Sequence, residues 1–140
     1  MLSHERAILT MLLAGDRPVL GALRDQLAQA QVTTRESTTC GFFTTFRVPE
    51  QVLRLRGAAS LQIGDVGAEV SGLRHGAGFI LFVRQGVVDF LEGFVYADDV
   101  WPKTPEFLRL FYTRHAAPRS PQIVESGYRD LSWADRFEAG

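Results

Sequence analysis

The chain has 140 residues, a formal net charge of -1, and 46% hydrophobic against 22% charged residues, which suits one globular domain and argues against disorder or a fibrous repeat. Its fifteen cationic side chains are scattered and Lys103 is the only lysine, so the basic stripe of a nucleic-acid binder is missing. Cys40 is the only cysteine, which excludes an internal disulfide and suits a reducing, cytoplasmic compartment.

The apolar run Ile8 to Leu13 follows Glu5 and is too short to span a bilayer. It reads as the face of a first helix that Ser3 caps and Gly15 ends. Asp16 then caps a second helix, with Pro18 in its first turn, where a missing N–H costs nothing. Val19, Leu20, Leu23, Leu27 and Ala30 fall on one side of it. A linker of one or two residues makes the two helices cross sharply.

After Gln31 the period changes to two. VTTREST and GFFTTFRV are strands, and in the second Phe42, Phe46 and Val48 share a face while Thr45 and Arg47 point away. VLRLR, from Val52 to Arg56, is an edge strand or one helical turn. LQIGDVGAEVSGL holds two strand-like pieces broken at Gly64 and Gly67. GLRHGAG and GDVG lack the strand-to-helix setting of a phosphate loop, so their glycines read as turns and close-packing sites.

The run AGFILFVRQGVVDFLEGFVY predicts a hairpin reversing at Gln85-Gly86. Regular pairing from that turn sets Val83 against Val88, Leu81 against Phe90, Phe79 against Glu92, Gly78 against Gly93 and His75 against Tyr96. One face then carries Phe79, Leu81, Val83, Val88, Phe90 and Phe94 with Glu92 among them. The other carries Ile80, Phe82 and Leu91, with Gly76, Gly78 and Gly93 as a shallow trough. A bulge at Glu92-Gly93 is the alternative, and it sends the carboxylate outward. FLRLFYTR is a further strand, HAAPRSP a turn, and DLSWADRF a short helix or arm anchored by Leu131, Ala134 and Phe137.

Two candidate sites follow. Asp98, Asp99 and Trp101 close the hairpin as an acidic turn with an aromatic, a fair docking point if Trp101 is exposed and a plug over the sheet end if it is not. The same carboxylates with Glu92 weigh only weakly as a metal site, because no ligand spacing supports them. The second candidate is an apolar pocket between helices and sheet, lined by Phe79, Phe90, Phe94, Tyr96 and His75, with Glu92 as its polar group and a raised carboxyl pKa.

HGAGFILFV, then Leu91-Glu92-Gly93-Phe94, then Trp101-Pro102 resembles small single-domain bacterial proteins that carry a Leu-Glu-Gly-aromatic hairpin followed by Trp-Pro. The resemblance covers residues 73–102 and implies no activity. Some compact α+β proteins of similar appearance serve as immunity partners for toxins, an analogy of shape.

The sequence therefore predicts an α+β fold, two N-terminal helices on an antiparallel meander of five to seven strands, over residues 1–118. Residues 119–140 form an extension or short helix. The expected function is a non-catalytic interaction module without cofactor, metal, nucleic acid or membrane, binding a protein partner or itself as a homodimer through a hairpin edge or the Trp133 tail. The alternative is a small-ligand binder or enzyme built around Glu92.

Overall fold

The computed structural model describes residues 1–137 and has the α+β arrangement, two N-terminal helices and a seven-stranded antiparallel sheet. Helix α1 spans Ser3–Leu12 and α2 Pro18–Gln29. Pro18 takes the first helical position as expected, but the N-caps are Leu2 and Arg17 rather than Ser3 and Asp16. The linker runs through residues 13–17, longer than expected, with Gly15 at φ 127°. Ile8, Leu9, Leu12, Leu13, Val19, Leu20 and Leu23 are all at most 4% exposed. At about 1.5–3 kcal/mol for each large apolar side chain taken from water, this helix-to-sheet seam is the main source of stability.

The strands are β1 (Gln31–Thr38), β2 (Gly41–Arg47), β3 (Leu61–Val70), β4 (Ala77–Arg84), β5 (Val87–Val95), β6 (Phe107–His115) and β7 (Ile123–Glu125). Their spatial order is β1-β2-β5-β4-β3-β6-β7. β3, β4 and β5 follow one another as a meander, but β2 pairs with β5 and β6 with β3. The crossover from β2 to β3 includes VLRLR, in which Val52 to Leu55 form neither strand nor helical turn; Val52 and Leu55 plug into the core and Arg56 opens a short 3-10 turn, Arg56–Ala58. β3 is one ten-residue strand, with an irregularity between Ile63 and Val66 instead of two breaks.

The reversal at Gln85-Gly86 is present, with φ 51° and 79°, the two positive values a type I′ turn needs. Val83 pairs with Val88 as expected, and there the regular register stops. Phe82 pairs with Phe90, so Asp89 is an extra residue, and every later partner slips by one: Leu81 meets Leu91, Ile80 meets Glu92 and Phe79 meets Gly93. This β-bulge lies three residues before the position considered in the sequence, and it turns the rest of β5 over. Leu91, not Phe90, joins Phe79, Leu81, Val83 and Val88 beneath the helices, each at most 1% exposed.

Close approach fixes one glycine. A Cβ on Gly41, at φ 153°, would lie 1.8 Å from the Gly93 carbonyl oxygen, so only glycine lets β2 start beside β5. The C-terminal segment returns over the helix side through a 3-10 turn, Ser132–Arg136. Ala134 is 1% exposed, and Leu131 and Phe137 pack against the same core. Among the described residues no helix is long and apolar enough to cross a membrane.

Candidate functional site

The two faces of the sheet differ in what covers them. Helices, crossover and C-terminal turn pack on the face carrying Phe79, Leu81 and Leu91. On the opposite face no helix lies among the described residues, and the bulge delivers Phe90, Glu92 and Phe94 there.

Register arranges that face in rows across the strands. One row runs Glu36, Phe43, Glu92, Ile80, and the next Thr34, Thr45, Phe90, Phe82, Gln62. A third holds Arg47 on β2 and Arg84 on β4, both exposed. The rings interlock: Phe82 and Phe90 stack at 4.3 Å between centroids, Phe43 lies 6.0 Å from Phe90, and the Arg84 guanidinium sits 5.1 Å above the Phe90 ring. Arg84 also makes a loose 3.7 Å ion pair with Asp89. The side chains of Glu36, Arg47 and Glu92 pair with none of the described residues.

Glu92 is therefore not a core carboxylate, and the pocket expected between helices and sheet does not form around it. Phe79 is fully buried under the helices, while Phe90, Phe94, Tyr96 and Glu92 are half-buried on the opposite face. His75 lies in the loop before β4 and does not pair with Tyr96; its backbone N–H donates to the Asp99 carboxylate at 2.9 Å. The glycine trough is also corrected. Gly78 lies under Phe94 and Tyr96, whereas Gly93 faces the helices beneath Phe42, 2.2 Å from where its Cβ would be.

Of the docking trio, Asp98 is exposed and Asp99 is half-buried holding the His75 loop. Trp101 is only 7% exposed, 5.3 Å from the Phe42 ring and 6.1 Å from Phe107. It is a plug and has no free face to anchor a partner. Among the described residues no three His, Cys, Asp or Glu side chains gather to hold a metal ion.

Comparison with family models, with curated proteins and with solved structures finds no match for this chain. Its functional reading rests on geometry.

Two further polar features escaped the sequence reading. Glu5, on α1 and 1% exposed, accepts hydrogen bonds from Arg35 Nε at 2.9 Å and Nη2 at 3.0 Å, Thr44 Oγ1 at 2.7 Å and the Leu2 N–H at 2.9 Å. Burial pushes its carboxyl up, but the hydrogen bonds from Arg35, Thr44 and Leu2 outweigh that and hold it at about 2. Next to it, His4 stacks on Phe107 at 4.7 Å, and burial lowers its pKa. The only mark in the sequence was Glu5 on the apolar side of a helical period, three residues before Ile8.

The second feature is a cleft of about 420 Å³ where β6 diverges from β3. Gln62, Asp65, Tyr96, His115, Asp130 and Trp133 contribute to its wall. Asp65 is held by Arg129 Nε at 2.7 Å, and His115 Nδ1 donates to the Ser120 carbonyl oxygen at 2.8 Å. Burial raises the Tyr96 phenol.

Proposed function

We propose that this chain is a non-catalytic protein-interaction module and that its docking surface is the uncovered face of the sheet. The observation that carries the reading is the block Phe43, Ile80, Phe82, Phe90, Phe94 and Phe111, half-buried on the face turned away from the helices, with Ile80 and Phe94 at its border with the cleft that Trp133 helps to line. A contiguous apolar face of this kind, rimmed by charge, marks association more often than a bare monomer surface. Aromatic side chains and Arg are enriched at interface centres because each buries much area with few rotatable bonds. The strongly engaged ionic groups support architecture instead: Glu5 fastens α1 to β1 and β2, and Arg109 ties β3 to β7 through Glu69 and Glu125, each at 2.8 Å.

A photo-crosslinking side chain placed at Phe90 in the full chain, in its native cell, should give a discrete protein adduct. The same group at Asp25, exposed on α2, should give none. Equal labelling from both positions, or none from position 90, would remove the reading.

A small-ligand function is the second reading, moved from the helix-sheet interior to the cleft. Its volume of about 420 Å³ lies in the range of roughly 300–1,000 Å³ usual for ligand sites. A fragment library followed by the Trp133 indole N–H resonance should produce saturable shifts; shifts that stay linear with concentration would retire this reading.

A further inference from the structure

The uncovered face is complementary to itself. Rows two residues apart on one face lie about 6.6 Å apart, so the first and third are separated by about 13 Å with the aromatic row midway. The first row carries two carboxylates, Glu36 and Glu92, on either side of Phe43. That Glu36 points to this face follows from Arg35, its neighbour, reaching the helix side to bind Glu5. The third row carries two guanidinium groups, Arg47 and Arg84. Between them, Thr45, Phe90 and Phe82 are uncharged.

A surface with this order, anion, aromatic, cation, matches its own image after a half-turn about the middle row. We infer that the occupant of this face is a second copy of the chain, packed sheet to sheet in a two-fold dimer with its axis along the row Thr45, Phe90, Phe82. The inference rests on the interaction reading above and names the partner. Sheets pack face to face about 10 Å apart with strands nearly aligned, and a half-turn about an axis across the strands lays each strand over its own copy. Phe90 then meets Phe90. Arg47 of one copy comes down beside Phe43 of the other, between its Glu36 and Glu92. Arg84 comes down over Ile80, next to the same Glu92.

The other charges of this face do not oppose the arrangement. Asp89 is held by Arg84 of its own chain, and Glu69, Arg109 and Glu125 form a closed set toward β7. The contact is isologous, so each pair between copies occurs twice. Both carboxylates of the first row, without a partner among the described residues of one chain, acquire one in the dimer, and so does Arg47. This gives Glu92 a role its position among aromatic rings otherwise lacks.

Sedimentation velocity of the full chain across a concentration series tests the inference with Arg47→Glu and Glu92→Arg. The wild type should sediment as a dimer whose affinity falls as salt rises. Each reversal alone sets like charges against each other and should weaken the dimer at least about tenfold. An equimolar mixture of the two reversed chains should recover association. In the mixed dimer the glutamate introduced at position 47 of one copy faces the arginine introduced at position 92 of the other, and the unaltered Arg47 faces the unaltered Glu92. Misfolding in either variant cannot produce that recovery, and circular dichroism of each alone should match the wild type. A wild type that stays monomeric, or a mixture that stays monomeric while the wild type dimerises, overturns the two-fold arrangement. If the crosslinker at Phe90 then still captures a protein of different mass, the face remains an interaction surface with another occupant; with no adduct, both readings fall together.

Discussion

A carboxylate removed from water stays ionised only where hydrogen bonds replace its hydration. Glu5 has four such bonds, and its pKa of about 2 makes it an acid-labile clasp between α1 and the first two strands. Because the folded value lies below the ordinary 4.5, the stability Glu5 contributes is complete above pH 4.5 and is lost as pH falls toward 2. Glu5→Gln should therefore be less stable than wild type by about 2 kcal/mol at neutral pH, and urea titrations of the two proteins should converge between pH 4.5 and 2. A difference that persists unchanged at pH 2 would mean the loss is one of packing. Trp101→Ala should cost about 3–5 kcal/mol, the usual range for a large aromatic removed from a core, measured as a fall in the urea midpoint. For that reason a triple change at Asp98, Asp99 and Trp101 is unsuitable as a test of docking, since it also unplugs the sheet. At this scale the sequence was readable where chemistry is local. Pro102, which holds the residue before it extended, marked Trp101 as a candidate plug, whereas the side-chain partners of Glu5 lie 30 and 39 residues away, and no local pattern carries such a distance.

Elements were more legible than their registers. Alternation located six of the seven strands and the Gln85-Gly86 reversal, because turn chemistry and period two are short-range signals. One inserted residue leaves almost no trace in such a pattern: Val87, Val88, Asp89 and Phe90 admit pairing with or without a bulge, and the choice moves the side chains of Phe90, Leu91, Glu92, Phe94 and Val95 to the other face. A tertiary contact braces the residues just before the bulge. Gln26 of α2, fully buried, accepts the Val88 N–H at 2.9 Å through Oε1 and donates through Nε2 to the carbonyl oxygens of Gly86 at 2.9 Å and Leu53 at 3.1 Å. One side chain thus latches the helix, the hairpin turn and the crossover. Gln26→Ala should cost about 1–3 kcal/mol, since it strands the buried Val88 donor, while the Gly86 carbonyl keeps the Leu55 N–H at 3.0 Å, and the Val88 amide should exchange with solvent measurably faster. Unaltered protection at Val88 would show that the bulge holds itself. The short β7 was missed because three residues, Ile123–Glu125, carry no period of their own and borrow a partner from β6.

For the molecule as a whole, two helices against an antiparallel sheet could be read from the order of periodic segments, but the strand order could not, since nothing local distinguishes a β2–β3 neighbour from a β2–β5 one. The tail is likewise fixed by distant partners. Arg129, with a side chain only 10% exposed, reaches both Asp65 oxygens, the Ala14 carbonyl at 2.6 Å and the Leu12 carbonyl, and lies over the Tyr112 ring. It satisfies the C-terminal end of α1, where carbonyl groups lack helical partners, while pinning the tail to the sheet. Arg129→Met should destabilise by about 3 kcal/mol, because it leaves Asp65 unpaired in a partly buried setting, and limited proteolysis should then cut between residues 115 and 130. A tail that resists cleavage in that variant would show that Ala134 and its apolar neighbours suffice. The β2–β5 pairing, finally, governs the timing of assembly. During synthesis the amino-terminal hairpin emerges with Phe42 and Phe46 ready for burial, yet its partner is still some fifty residues from the exit. Until that later segment arrives, the nascent chain presents a sticky unfinished edge, the stage at which a ribosome-associated chaperone has most to protect.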